Sequence, residues 1–195
     1  MNATTSDSVP RYSAAVAPET IIATRYQNDD PTKPIVAQRP WCPYPAVARF
    51  SGKGQHSDAA GLADALGVVP RYVGRSRFDY LVEVDRESTV AELSPDMSVL
   101  RTLPVRGVIV TSRAETSGWD FVSRFFAPAA GIDEDPVTGS AHCCLAPFWG
   151  GRLNKTEMVG RQLSARGGTV RVRLDGDRVK LSGQGVTILK GDLLA

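Results

Sequence analysis

Three stretches in the chain's first two thirds carry apolar patterns that predict strands. Residues 78–84 carry an aromatic or valine side chain at every second position, which is the period of a half-buried strand. Residues 105–111 are apolar on both faces, so the strand predicted there is buried. Residues 120–126 predict a third strand.

Helical spacing occurs in two short segments of the same region. In residues 58–66, Ala59, Leu62 and Leu66 share one face, and Gly67 follows as a stop signal. The run Ser94-Pro95-Asp96 predicts the start of another short helix through Leu100, with Ser94 as N-cap and proline at the first helical position.

The last third of the chain predicts a set of short strands joined by turns. The predicted strands are residues 162–164, 169–174, 178–181 and 186–189. The turn between the second and third contains Asp175-Gly176-Asp177, a strong hairpin signal. Val170 and Val172 face one way while Arg171 and Arg173 face the other, which predicts an antiparallel sheet with one buried face.

One helix, residues 138–149, is predicted between these strands and differs from the others in composition. Its residues are small at the front and bulky at the back, and nearly all are apolar. A helix that is apolar nearly all round is expected to be buried, and Pro147 is expected to bend its end. The predicted fold class is therefore α+β, with a curved, mostly antiparallel sheet wrapped around one central helix.

The first fifty residues differ in composition from the remainder. Seven of the 13 prolines lie before residue 46, whereas all 18 glycines follow residue 51. Such proline density disfavours a long helix or a central strand. We therefore predict an extended, weakly ordered arm at residues 1–46 and a folded lobe at residues 47–195. The arm is either a disordered tail or a segment whose Trp41 and Tyr44 dock on the lobe.

Charge and cysteine content exclude several function classes. A net charge of +2 without a basic block does not indicate a nucleic-acid partner, and no apolar run approaches the roughly 20 residues of a membrane span. The two histidines are far apart in sequence and the three cysteines lack CxxC spacing, so no metal site is expected. The first residues do not resemble a signal peptide, so a cytoplasmic location is the expectation.

The segment 131–142, with the sequence GIDEDPVTGSAH, is the strongest candidate for chemistry. It places acids and an Asp-Pro turn before the first turn of the predicted central helix, whose backbone N–H groups and dipole favour an anion. Gly139 would let a ligand approach the backbone closely, and Ser140 adds a hydroxyl. A carboxylate could dock on the N–H groups of Gly139, Ser140 and Ala141 with Asp135 at the mouth. The competing interpretation is an ordinary helix cap.

Other side chains near this segment admit two interpretations each. Arg124 is either a structural partner of Asp133 or Glu134, or a second clamp for a carboxylate. His142 is either a general base or, as we favour, a packed or hydrogen-bonded helix histidine. Cys143 and Cys144 are interpreted as buried small residues of the helix rather than as a redox pair.

Several motifs resemble the signature of the PhzF-like family of phenazine-biosynthesis isomerases. They are residues 123–128 (SRFFAP), 131–142 (GIDEDPVTGSAH), 162–168 (QLSARGG) and 179–185 (VKLSGQG). The resemblance covers the chain from about Leu66 to Ala195. It implies one lobe of a diaminopimelate-epimerase-like fold, in which two such lobes form a cleft.

The resemblance also implies a cofactor-independent proton shift on a small carboxylic acid. In that family a Glu of the first lobe moves the proton, and the Asp and Ser of the Asp-Pro-x-Thr-Gly-Ser motif face the substrate. These positions are Asp135 and Ser140 here, as catalytic residues. Substrate binding is implied for Thr138, Gly139, Ser140 and Ala141, with Arg124 as a further candidate.

The family's first-lobe motifs and its Glu-bearing segment are not found in residues 1–60. The expected function is therefore a PhzF-like isomerase that is impaired as an isolated chain, because the first lobe and its Glu are missing. Two copies could pair as a homodimer, each acting as the other's second lobe, to mimic the two-lobed cleft, but that cleft would still lack the Glu. The alternative is a non-catalytic lobe that binds a small carboxylate or a protein partner.

Overall fold

Four α-helices, a 3-10 helix (Pro128–Ala130) and eight strands form the part of the chain that the structure, a computed structural model, describes, residues 59–184. The helices are α1 (Ala59–Leu66), α2 (Glu87–Ala91), α3 (Met97–Leu100) and α4 (Gly139–Leu153). The strands are β1 (Tyr72–Arg75), β2 (Asp79–Glu83), β3 (Gly107–Arg113), β4 (Phe121–Ala127), β5 (Ile132–Glu134), β6 (Glu157–Gln162), β7 (Gly168–Asp175) and β8 (Arg178–Ser182).

All eight strands belong to one sheet, in the order β1-β2-β3-β4-β6-β7-β8 with β5 beside β4. The β2–β3 and β4–β6 neighbours are parallel, and the other neighbours are antiparallel. Both β5 and β6 lie along the same edge of β4. Strand β6 pairs with residues 121–123 and β5 pairs with Phe126 and Ala127, so the two diverge in between.

Helix α4 packs on one face of this sheet, and α1, α2 and α3 pack on the other. Strand β4 shows why, because Phe121 and Phe125 contribute to the core under α4 while Val122 and Phe126 contribute to the opposite core. The helix approaches the sheet closely at Gly150, where an added Cβ would lie 2.8 Å from a methyl group of Leu174 on β7. The predicted α+β class and the mostly antiparallel sheet with a buried central helix are confirmed.

The predicted strands and helices agree with the structure except at several boundaries. The strand expected at residues 162–164 is the end of β6, which begins at Glu157. Helix α4 continues past Pro147 to Leu153, four residues beyond the predicted end. Helix α3 is capped by Asp96, whose carboxylate accepts from the N–H groups of Ser98 and Val99, so the expected Ser94 cap is wrong.

Four short elements were not predicted from the sequence, namely β1, α2, β5 and the 3-10 helix. Each has five or fewer residues, which is too short for a hydrophobic period to be distinguished from chance. The predicted arm at residues 1–46 and the strand at residues 186–189 lie outside the described part of the chain. Within residues 59–184, no helix is long and apolar enough to cross a membrane.

Candidate active site

The candidate site lies at the N-terminus of α4, where the chain leaves β5 and crosses the gap between β5 and β6. The backbone N–H of Asp135 still donates to the Phe125 carbonyl of β4, at 3.0 Å. Residues 136–138 then turn away from the sheet and Gly139 begins the helix. The Asp-Pro turn expected from the sequence therefore lies directly before the N-terminus of α4.

Gln162 fixes this turn to the end of β6. Its side chain is fully buried, and its Oε1 accepts from the Thr138 backbone N–H at 2.8 Å. Its Nε2 donates to the Asp135 carbonyl and, at 3.2 Å, to the Thr138 hydroxyl. The Gln162 amide thus hydrogen-bonds to the backbone at both ends of the segment 135–138.

Thr138 is the N-cap of α4, but its side chain does not cap the helix. Its hydroxyl donates instead to the Asp135 carboxylate, with 2.6 Å between the oxygens. The N–H groups of the first turn have no acceptor within the helix, so they and the positive end of the helix dipole lie at the same end of α4 as that carboxylate. This arrangement differs from the ordinary cap that the sequence left open.

Gly139 lies on the exposed side of this first turn. A Cβ placed there would meet only a methyl group of Leu181, at an ordinary contact distance of 3.5 Å. Packing within the described residues therefore does not require glycine at this position. An open backbone at the helix N-terminus is what a closely approaching anion needs.

The structure brings five of the predicted site residues together and separates one. Asp135 and Thr138 lie in the turn before α4, and Gly139, Ser140 and Ala141 form its first turn, although the side chains of Thr138 and Ala141 are buried. The Thr138 hydroxyl donates to the Asp135 carboxylate and so holds that side chain in place. Asp135, Gly139 and Ser140 are partly or fully exposed.

Arg124 lies on the face of the sheet away from α4, stacked on the Phe126 ring. Its Nε and Nη2 donate to the Glu134 carboxylate at 2.7 and 2.9 Å, and its Nη1 donates to the Leu93 carbonyl at 2.7 Å. The guanidinium is committed to these partners, so the structural pairing with Glu134 is the correct interpretation. Arg124 does not join the groups at the helix N-terminus as a substrate clamp.

His142 is fully buried one turn into α4. Its Nδ1 lies 2.8 Å from the Thr138 carbonyl, and its Nε2 has no hydrogen-bond partner among the described residues. Burial lowers the pKa of His142, which favours the neutral ring. These contacts agree with the packed, hydrogen-bonded histidine that the sequence favoured over a general base.

Cys143 and Cys144 are both buried in the core under α4, as the sequence predicted. Burial raises the pKa of the Cys144 thiol to about 12, so this group stays protonated at neutral pH. Among residues 59–184, no three His, Cys, Asp or Glu side chains are placed to hold a metal ion.

Two residues that the sequence did not single out adjoin Ser140. The Arg106 guanidinium donates from Nη2 to the Ser140 hydroxyl at 3.0 Å and from Nε to the Asp79 carboxylate at 2.9 Å. Asp79 is 1% exposed, and its burial raises its pKa against the opposing effect of Arg106. The available signals were an acid within an apolar strand pattern and an arginine before an apolar run.

Comparison with known proteins identifies a family for most of the chain. The model of the family described as phenazine biosynthesis-like protein (PhzC-PhzF) matches residues 19–191. An uncharacterized isomerase from Halalkalibacterium halodurans is 53% identical over 133 residues, which are 68% of this chain and 50% of that protein. A mouse phenazine biosynthesis-like domain-containing protein is 44% identical over 114 residues, 56% of this chain and 40% of that protein.

Solved structures give the same result. A PhzF-family crystal structure from Enterococcus faecalis has a TM-score of 0.68 and 35% identity, and covers 78% of this chain and 56% of that one. A Clostridium difficile PhzC/PhzF protein has a TM-score of 0.66 and 36% identity, with the same coverage. The chain spans about half the length of the curated relatives that it matches. It belongs to the phenazine biosynthesis-like (PhzC-PhzF) family.

Proposed function

We propose that this chain forms one lobe of an isomerase that shifts a proton on a small carboxylic acid without a cofactor. One observation carries the proposal. The Asp135 carboxylate accepts from the Thr138 hydroxyl at 2.6 Å, beside a helix N-terminus that this hydroxyl leaves uncapped. A proton-transfer group and an anion-binding backbone therefore adjoin each other.

The proposed roles follow from the polarity of each group. The N–H groups at Gly139, Ser140 and Ala141 bind the substrate carboxylate, because unpaired donors and the helix dipole both favour negative charge there. Asp135, whose carboxylate is held by Thr138, exchanges a proton with the substrate carbon. Ser140 contributes a hydroxyl at the same end of the helix.

A proton shift also needs a second group to return the proton and a wall to exclude water. We propose that a second lobe supplies both, either from further residues of the protein or from a second copy of the chain. A second copy related by a twofold axis would be an isologous dimer, the commonest assembly. Sedimentation or mass photometry distinguishes these sources.

The activity test measures deuterium uptake from D2O into small carboxylic acids that carry an acidic C–H bond, followed by proton NMR. Asp135→Asn should slow uptake by about 100-fold or more, the range of general acid–base catalysis. Asp133→Asn is the matched control, since Asp133 is exposed and pairs with Arg101 at 3.3 Å. Equal uptake by the Asp135→Asn variant and wild type would refute the role of Asp135.

The binding test uses benzoate as the carboxylate and benzamide as its neutral analogue, with amide chemical shifts as the readout. Benzoate should shift the first-turn amides of α4 and benzamide should not. Gly139→Ala should weaken binding, because a methyl group on the first residue of the helix limits how closely an anion can approach the backbone there. Gly151→Ala is the matched control in the same helix, where a Cβ meets nothing within 4 Å. Benzoate binding without deuterium uptake would favour the alternative, a non-catalytic carboxylate-binding lobe.

A further inference from the structure

A buried carboxylate anchors an arginine beside the candidate site. Asp79 begins β2 and its side chain is 1% exposed, whereas the Arg106 side chain is 34% exposed. Asp79 pairs with Gly107, the first residue of β3, in the parallel β2–β3 register, and Arg106 directly precedes Gly107. A buried acid needs a fixed cationic partner, so Asp79 limits where the guanidinium can lie.

The contacts of Arg106 fix its plane as well as its position. Its Nε and Nη2 donate to the two oxygens of Asp79, which is the two-point contact that carboxylate and guanidinium favour. The guanidinium carbon also lies 5.4 Å from the centre of the Phe125 ring and 5.9 Å from that of Phe78. A lysine at this position could supply the positive charge but not the planar two-point contact with Asp79.

The same guanidinium donates from Nη2 to the Ser140 hydroxyl at 3.0 Å. A hydroxyl oxygen that accepts from a cation directs its own hydrogen away from that cation, and the bond polarises it as a donor. We infer that Asp79 and Arg106 are positioning residues that hold the Ser140 side chain as a hydrogen-bond donor to the substrate carboxylate. The inference rests on the proposed function for its ligand, but the effect of Arg106 on position 140 stands independently.

This assignment differs from a purely structural ion pair in what it predicts. A structural pair stabilises β2 and β3 and leaves the chemistry of position 140 unchanged. A positioning pair places a positive charge against whatever side chain occupies that position. The pKa of an ionisable side chain at position 140 should therefore depend on Arg106.

The first arm of the experiment introduces a thiol by Ser140→Cys and follows its alkylation by iodoacetamide against pH, with peptide mass spectrometry to locate the label. On this background, Arg106→Gln should raise the thiol pKa by about one unit, since a nearby cation stabilises the thiolate. Arg106→Lys keeps the positive charge but loses the two-point guanidinium contact, so it should raise the thiol pKa less than Arg106→Gln does. Arg152→Gln is the matched control, because Arg152 pairs with Glu83 of β2 at 3.3 Å near the other end of α4.

The second arm measures benzoate binding to the wild type, Ser140→Ala, Arg106→Lys and the double variant. Each single variant should weaken binding by about fivefold or more, the loss of one charge-assisted hydrogen bond. The double variant should lose little more than either, because both changes remove the same donor. Arg152→Lys should bind as the wild type does.

The two arms separate failure of the inference from failure of the proposed function. An unchanged thiol pKa in both Arg106 variants, or binding losses that simply add, would overturn the inference. Absence of benzoate binding in the wild type would count against the proposed function, while the thiol titration still decides whether Arg106 acts on position 140. Circular dichroism and urea unfolding of each variant confirm that it is folded before either arm is interpreted.

Discussion

Replacing Gln162 by leucine should destabilise the fold and loosen the candidate site together. The amide of Gln162 accepts from the Thr138 N–H and donates to the Asp135 carbonyl, and its side chain is fully buried. Leucine has a similar volume but no polar atoms. The substitution therefore leaves the buried Thr138 N–H and the part-buried Asp135 carbonyl without the partner that holds the turn before α4.

The size of the effect follows from these two groups. A buried polar group left without its partner costs about 1–3 kcal/mol, and the part-buried Asp135 carbonyl costs less, so the two groups together cost about 2–5 kcal/mol. Burying the more apolar leucine side chain offsets about 1–2 kcal/mol of this. A net loss of about 2 kcal/mol is expected, and for a chain of 195 residues this lowers Tm by roughly 4–8 °C.

Urea unfolding gives the free energy, and hydrogen exchange of the Thr138 amide shows where the loss arises. Gln184→Leu is the matched control, because Gln184 is exposed and the same substitution leaves no buried group unpaired. The Thr138 amide should exchange faster in Gln162→Leu than in the control. Unfolding free energies of the two variants within about 0.5 kcal/mol of each other, with Thr138 still protected, would refute the reasoning.

Further predictions concern packing and pH. Gly160→Ala should destabilise the fold by about 1–3 kcal/mol, because the new methyl would lie 2.5 Å from the Phe121 ring. Gly61→Ala, in open space on α1, should stabilise it by about 0.5–1 kcal/mol. Urea unfolding measures both free energies of unfolding, and equal values would contradict this packing. Because burial lowers the pKa of His142, the unfolded chain binds a proton below about pH 6.5 that the folded protein does not bind. The free energy of unfolding should therefore decrease as the pH falls below about 6.5, by up to about 1.4 kcal/mol per pH unit. His142→Leu should remove this slope, and an identical slope in both proteins would exclude His142 as its source.

Local patterns in the sequence determined the elements that have a clear period or a specific turn residue. The alternation of Val170 and Val172 with Arg171 and Arg173 predicted β7, and its buried and exposed faces are as predicted. The small apolar residues between Thr138 and Trp149 predicted a buried helix, because such a surface can pack closely on all sides. The Asp135-to-Ala141 segment was likewise found from sequence, since acids followed by Thr-Gly-Ser are typical of a helix N-terminus.

Tertiary structure decided which residues surround that segment. Asp79, Arg106 and Gln162 lie far from it in sequence and reach it only because β2, β3 and β6 are assembled in one sheet. The choice between two roles for Arg124 also depended on the sheet, since one residue of register decides which face a side chain occupies. Sequence periodicity gives the faces of each strand, but pairing between strands decides which faces meet, and the polar contacts of this site are made between elements.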